Sequence, residues 1–277
     1  MTGMDKRNGK PLESLCIQVA DASLDFISNI SQYCAFLRMS CMTFFRVLRH
    51  PSRIRWNLVT FYMDSCGSDA TPIISLLGFL IGVILAFQAI IQLGRFGVQS
   101  YVVNLVGTVI VTELAPLVTA VVLAGRTGSS FAAELSSMKN EEELDALVTL
   151  GIDPGEYLLL PKLLAMITVL PCLTIISDIC GIAGGMAVVC SMLEVSISEY
   201  VNKCIEVIHV VDLLQGLVKS CVFGFIVSTV GCMKGMNSER NAHGVGKSTT
   251  SAVVAAIFLT VVTDAAITAF FGITFSS

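Results

Sequence analysis

Apolar residues run through this chain in long blocks, not in alternation. Residues 70–94 contain no charged side chain. A run of that length suffices for a membrane-crossing helix, which needs about 20 residues. A second block covers 101–125 and is broken only by Glu113, and a third covers 157–193, with Lys162 near its start and Asp178 inside. The fourth, 210–233, surrounds Lys219, and the fifth, 249–274, surrounds Asp264. The pattern predicts an all-α integral membrane protein with five transmembrane helices. Ahead of them, Ile27, Ile30, Cys34, Leu37, Cys41, Phe44 and Leu48 recur at steps of three and four, a single apolar stripe with Arg38, Arg46 and Arg49 off it. That stripe predicts an amphipathic helix over 24–50, stopped by Pro51 and lying in the membrane interface or on a partner protein. The chain thus divides into an interfacial N-terminal region, 1–66, and a membrane domain, 67–277.

Composition narrows the class further. Hydrophobic residues make up 54% and charged residues 14%, and the mean hydropathy is +0.79. A soluble domain needs more charge than this to cover its surface. The net charge of −4 on so apolar a chain excludes both disorder and a basic nucleic-acid binder. Orientation follows from Lys and Arg. If 1–69, 126–156 and 234–248 share one side, that side and its flanks carry fourteen of the seventeen cations. The other side carries Arg95 and Lys203, and Lys219 stays inside a span. The positive-inside bias then puts the N-terminus in the cytoplasm and the C-terminus outside. No apolar stretch follows the first charges, so no cleaved signal peptide is read. The ten cysteines form no CxxC pair and sit mostly in apolar runs, where they act as small hydrophobes and not as metal ligands.

Residues 134–156 hold seven acids and one lysine. They predict a short helix over 140–151, with Asn140 as its N-cap and Glu143 completing a capping box. Glu141, Glu142 and Glu143 face the positive end of the helix dipole. Leu144, Leu147 and Val148 line one face, Gly151 is placed for a left-handed C-terminal cap, and Pro154 follows. So short a helix is marginal alone in water. Its apolar face needs a surface, either on another protein or on the chain's own spans.

Carboxylates within apolar spans face a cavity or a partner. Glu113, Asp178 and Asp264 have this choice, as does the amide of Gln88. Glu113 precedes Pro116, which removes a backbone donor and invites a local kink. Gly78–Gly82 and Gly181–Gly185 are GxxxG pairs that permit close helix approach, within a chain or between copies. GVGKST at 244–249 resembles the end of a phosphate-binding loop, but the position that must be glycine is Asn241, so nucleotide binding is not read there. No metal cluster or catalytic constellation appears along the chain.

The stretch TELAPLVTAVVLAGRTGSSFAAELSSMKNEEELDALVTLGIDPGEYLLLPKLLA (112–165) resembles the core of the MlaE/YrbE family, the permease subunits of ABC transporters associated with MCE proteins. The resemblance continues through FGFIVSTVGCMKG (223–235), HGVGKSTTSAVVA (243–255) and TDAAITAFF (263–271), covering roughly 70–275. It implies an interfacial helix, five spans and a short cytoplasmic coupling helix. It also implies a homodimer in the bacterial inner membrane with a cytoplasmic ATPase on each copy, and a small accessory subunit on that ATPase. A periplasmic MCE protein, as a hexameric ring, would exchange phospholipids or other membrane lipids with the dimer. Some relatives handle sterols or other apolar molecules, and a scaffold that only anchors an MCE shuttle is the alternative. No cofactor is implied, and ATP hydrolysis would belong to the partner chain.

Carried over by position, the resemblance gives a lipid site of Ile84, Phe87, Gln88, Ile91 and Glu113. The ATPase contact would comprise Glu141, Glu142, Leu144, Asp145, Leu147, Val148, Gly151 and Asp153. One departure stands out. Several relatives have Arg immediately before the second-span Glu, whereas this chain has Thr112, so Glu113 lacks a cation beside it in sequence.

Overall fold

A computed structural model of the chain describes residues 55–275 apart from 194. The interfacial helix expected over 24–50 lies outside the described residues. Eight helical elements follow in order, and no strand occurs among the described residues. They are α1 (Trp56–Gly67), α2 (Thr71–Arg95), α3 (Gln99–Asn140), α4 (Glu143–Thr149), α5 (Tyr157–Met192), α6 (Ile197–Val207), α7 (Val210–Met236) and α8 (Ala242–Phe275). Five of them, α2, α3, α5, α7 and α8, are long and apolar enough to cross a membrane. This is the expected all-α membrane architecture.

Two boundaries differ from the sequence expectation. The second span does not stop at 125 but continues to Asn140. Phe131, Ala132 and Leu135 are buried along that extension, so packing against α7 and α8 carries the helix past its polar residues. The fifth helix begins at Ala242 and absorbs GVGKST into its first turns. Asn241 starts it, its side-chain oxygen accepting the Gly244 N–H at 2.5 Å.

α3 is not a uniform helix. It widens into π turns at Ile110–Leu114 and Ala124–Gly128. The first lies just ahead of Pro116, which has no N–H to offer the Thr112 carbonyl. There the Ala115 N–H reaches back five residues to Ile110. The kink invited by the proline is thus accommodated as a widened turn, placing Glu113 within it.

Glycines set the helix spacing. A Cβ on Gly82 would overlap the Gly181 carbonyl, and one on Gly184 would overlap the Phe79 carbonyl. The two GxxxG pairs therefore meet each other inside one chain, on the α2–α5 seam. Gly224 does the same for α7 against Met166 of α5, and Gly231 for α7 against Gly128 of α3. Backbones in contact gain dispersion over a long seam, which is the main source of cohesion between helices in lipid.

Away from α4, Ala86, Ile90, Val102, Val106, Ile110 and Val189 form a buried cluster closed by Tyr200 and Cys204 of α6. α6 lies in the connection that the five-span reading leaves without structure. Its signal was present: Ser196 and Glu199 form an S-x-x-E start, and the Ser196 hydroxyl accepts the Glu199 N–H at 3.2 Å.

Replacing Gly82 with Leu should force α2 and α5 apart and sharply lower the yield of monodisperse protein, since the obstacle is backbone. Gly246, with open space around its Cβ position, should accept Ala with unchanged or slightly raised thermal stability. Unfolding temperature measured in detergent checks both.

Candidate site: an intramembrane ion cluster and a short lever helix

Lys219 is fully buried in α7. Gly216, one turn earlier, lets α7 close onto the Val111 carbonyl of the widened α3 turn, which brings the Lys219 ammonium to Glu113. The Nζ–Oε2 distance is 2.5 Å. The same ammonium lies 2.9 Å from Oδ1 of Asp264 on α8 and donates to the Thr268 hydroxyl at 2.7 Å. Thr268 also lies 3.1 Å from Glu113 Oε1. One cation thus holds two carboxylates from different helices. Glu113 retains 28% side-chain exposure and Asp264 retains 14%, so the cluster is sealed on the lysine side and open on the glutamate side.

This arrangement answers the question left by Thr112. The Thr112 hydroxyl is turned back to its own helix, donating to the Thr108 carbonyl at 2.8 Å. The cation for Glu113 comes instead from the fourth span, and the expectation that Glu113 lacks one holds only along the sequence. Asp178, the third intramembrane acid, is buried on α5 with Oδ1 unpartnered among the described residues, and stands apart from the cluster.

A second ion pair was not anticipated. The fully buried ammonium of Lys162 lies 2.9 Å from Glu134, over the rings of Phe131 at 5.1 Å and Tyr62 at 5.3 Å. The Tyr62 hydroxyl donates to Glu134 at 2.9 Å. Burial, reinforced by Glu134, holds that phenol well above its ordinary value, and burial pushes the nearby Cys66 thiol up to about 11. Three elements, α1, α3 and α5, are tied here. Because residues 62, 134 and 162 are far apart in sequence, no local pattern revealed the link.

The first-span candidates sit together. Ile84, Phe87 and Ile91 are exposed, at 66%, 48% and 38%, and Gln88 is exposed on the same helical face. The structure groups Glu113 with the fourth and fifth spans, through Lys219, Asp264 and Thr268, and not with this stripe.

α4 differs from its expected form at one end. Asn140 ends α3 instead of capping α4. The residue before the first turn is Glu142, with φ at +62° and no side-chain cap bond. The C-terminal expectation matches the geometry. Gly151 has φ at +75°, its N–H bonds the Val148 carbonyl, and the Ile152 N–H bonds the Leu147 carbonyl, both at 3.0 Å. The face formed by Leu144, Leu147 and Val148 is only partly covered. Leu144 is buried against its own chain, whereas Val148 is 60% and Leu150 is 74% exposed. Glu141, Glu142 and Asp145 are exposed, and Leu147 is half-buried. Asp153 accepts the Gly155 N–H at 2.9 Å. Asp145 meets Arg240 in the α7–α8 connection at 2.6 Å, and Lys139 donates to the Ser238 carbonyl in that same connection at 2.7 Å.

Comparison with known proteins adds family information to this geometry. The family described as "Permease MlaE" matches residues 59–270. A "Probable ABC transporter permease protein" of Rickettsia conorii is 32% identical over 260 residues, covering 94% of this chain and 98% of that protein. A protein of the same description from Synechocystis is 35% identical over 195 residues, 70% of this chain and 74% of that one. "Protein TRIGALACTOSYLDIACYLGLYCEROL 1, chloroplastic" of Arabidopsis thaliana is 30% identical over 226 residues, 82% of this chain and 64% of its own.

Lys219→Met strands two carboxylates in the bundle and should cost about 3–5 kcal/mol of stability. Adding Glu113→Gln and Asp264→Asn should restore most of the loss, because no unpaired charge is then left. Thermal unfolding of the single and triple variants, purified side by side, checks this.

Proposed function

We propose a lipid-transport function for this chain, which belongs to the MlaE family of ABC-transporter permeases. In this reading it is a multi-pass membrane subunit of a homodimer in a bacterial inner membrane. It moves phospholipids or similar lipids between the bilayer and a periplasmic MCE protein, driven by a separate cytoplasmic ATPase. The positive-inside count supports placing α4 on the cytoplasmic side.

The observation that carries the reading is α4. A helix of 7 residues is anchored by Leu144 and closed by a glycine cap, yet it holds Val148 and Leu150 out to solvent. Exposed apolar side chains on a rigid protrusion mark a protein contact. Through Asp145–Arg240, movement of α4 passes to the α7–α8 connection, which Lys139 of α3 also holds through Ser238, and thus to the helices that carry Lys219 and Asp264. A motor pushing α4 would act on the ion cluster without touching the membrane interior.

The Ile84–Phe87–Gln88–Ile91 stripe supports a lipidic cargo. It is apolar, exposed and continuous along a span, with one amide. The name of the Arabidopsis relative is also that of a galactolipid. Acyl chains need such a surface, and the half-open glutamate side of the ion cluster offers polar groups at membrane depth.

Val148→Asp with Leu150→Asp should abolish co-purification of the ATPase while leaving unfolding temperature within a few degrees of wild type. Full ATPase recovery would remove α4 from the mechanism. Leu144→Asp tests folding instead, since that side chain is buried. A photocrosslinker at Phe87 or Ile91 should capture lipid in membranes, and crosslinks to protein alone would count against the cargo site.

A further inference from the structure

A cavity of about 240 Å³ opens at the base of α4, apart from both the ion cluster and the first-span stripe. Arg55, Asp153 and Tyr157 supply its polar lining, and Ile152, Leu160 and Pro161 its apolar wall. Arg55 stacks on Tyr157, its guanidinium 4.3 Å from the ring centre. No carboxylate forms an ion pair with Arg55 among the described residues. Stacking fixes the plane of the guanidinium, and no hydrogen bond takes up its N–H fork among the described residues, the arrangement that suits a phosphate. On the same cavity, Asp153 spends one carboxylate oxygen on the Gly155 N–H and keeps the other.

Depth decides what reaches this cavity. Tyr157 is the first residue of the third apolar span, so the cavity sits where that helix enters the bilayer. On adjoining α1, Trp56 is 59% exposed, and tryptophan is a residue of the kind that lies at the headgroup level. At ~30 Å³ per water in the liquid, the cavity has room for about eight heavy atoms, the size of a phosphate carrying a two-carbon amine. A cation and an anion facing one such space complement a zwitterion better than a simple anion, which Asp153 would repel.

We propose that this cavity binds the headgroup of a bilayer phospholipid that carries both a phosphodiester and a primary ammonium. The phosphate lies on Arg55 and the ammonium on Asp153, and the acyl chains stay in the bilayer outside the cavity. Because Gly151 and Ile152, the C-terminal cap of α4, form part of the same wall, an occupied site braces the base of the lever. The binding site needs only the bilayer and the entry of α5 into it, and does not rest on the transport reading.

Native mass spectrometry of the full-length, delipidated protein tests the site, with phosphatidylethanolamine or phosphatidylglycerol added back. The wild type should bind one phosphatidylethanolamine about tenfold more tightly than phosphatidylglycerol, the scale of a charge-assisted contact. Arg55→Gln should weaken both lipids by about tenfold, whereas Arg55→Lys should keep part of the affinity. Asp153→Asn should erase the preference without weakening phosphatidylglycerol. Equal binding of the two lipids by the wild type, or undiminished binding by Arg55→Gln, overturns the proposal. So does a photocrosslinker at Ile152 that captures only protein in native membranes. ATPase co-purification is read separately, so failure here leaves the α4 reading standing, and the reverse also holds.

Discussion

An ammonium group buried among membrane helices must be neutralised by whatever the bundle carries, because no solvent reaches it. Lys219 meets that requirement by drawing one carboxylate from α3 and another from α8. Much of the rest of the architecture is arranged around this. The widened turn at Ile110–Leu114 swings Glu113 into range. Gly216 lets α7 come close enough for the lysine to reach it. Thr268 then fills the hydrogen-bonding capacity left between the acids. Removing Lys219, the cation of this cluster, leaves carboxylates whose desolvation is uncompensated, and such a loss costs more than the pair itself contributes.

Glycine contacts and ion pairs divide the labour. The α2–α5 and α7–α3 seams are backbone against backbone, so they bind tightly but allow little sliding without a clash. The ion clusters join elements that the seams leave less constrained: α8 to α3 through Lys219, and α1 to α3 through Lys162, Glu134 and Tyr62. The bundle therefore combines close-packed helix pairs with buried polar links between them.

What could be read from the sequence follows from the range of each interaction. The five spans were legible because their signal is a run of apolar residues, complete within each segment. The Gly151 cap was legible for the same reason, and so in principle was α6, whose S-x-x-E start lies within four residues. Asn140 misled because Ser, Thr, Asp and Asn favour helix starts only where a helix is free to start. Here burial of Phe131 and Leu135 carries the preceding helix through that position. The pairs Glu113–Lys219 and Glu134–Lys162 were invisible, since each depends on which faces of distant helices meet. The chain displayed an acid with no cation beside it. Only the packing of α7 on α3 showed that the cation is supplied from another span.

The placement of α4 gives these links a direction. Its buried residue, Leu144, fixes it to its own chain, and its acid, Asp145, is held by Arg240 rather than by anything on α3. An exposed ion pair of this kind is worth little as stabilisation. Its value is geometric: it joins α4 to the turn between the two helices whose other halves carry Lys219 and Asp264. A force applied to Val148 and Leu150 therefore has two exits, one along α3 towards Glu113 and one through Arg240 towards α7 and α8. Both end on the same cluster. If the two routes moved their helices equally, the cluster would travel as a unit and nothing would change inside the membrane. They differ in build: the first crosses the break at Glu142 and the two widened turns of α3, and the second a short connection held by side chains. On the proposed reading, displacement of α4 would therefore shear Glu113 against Lys219 and Asp264 instead of carrying the cluster as a unit.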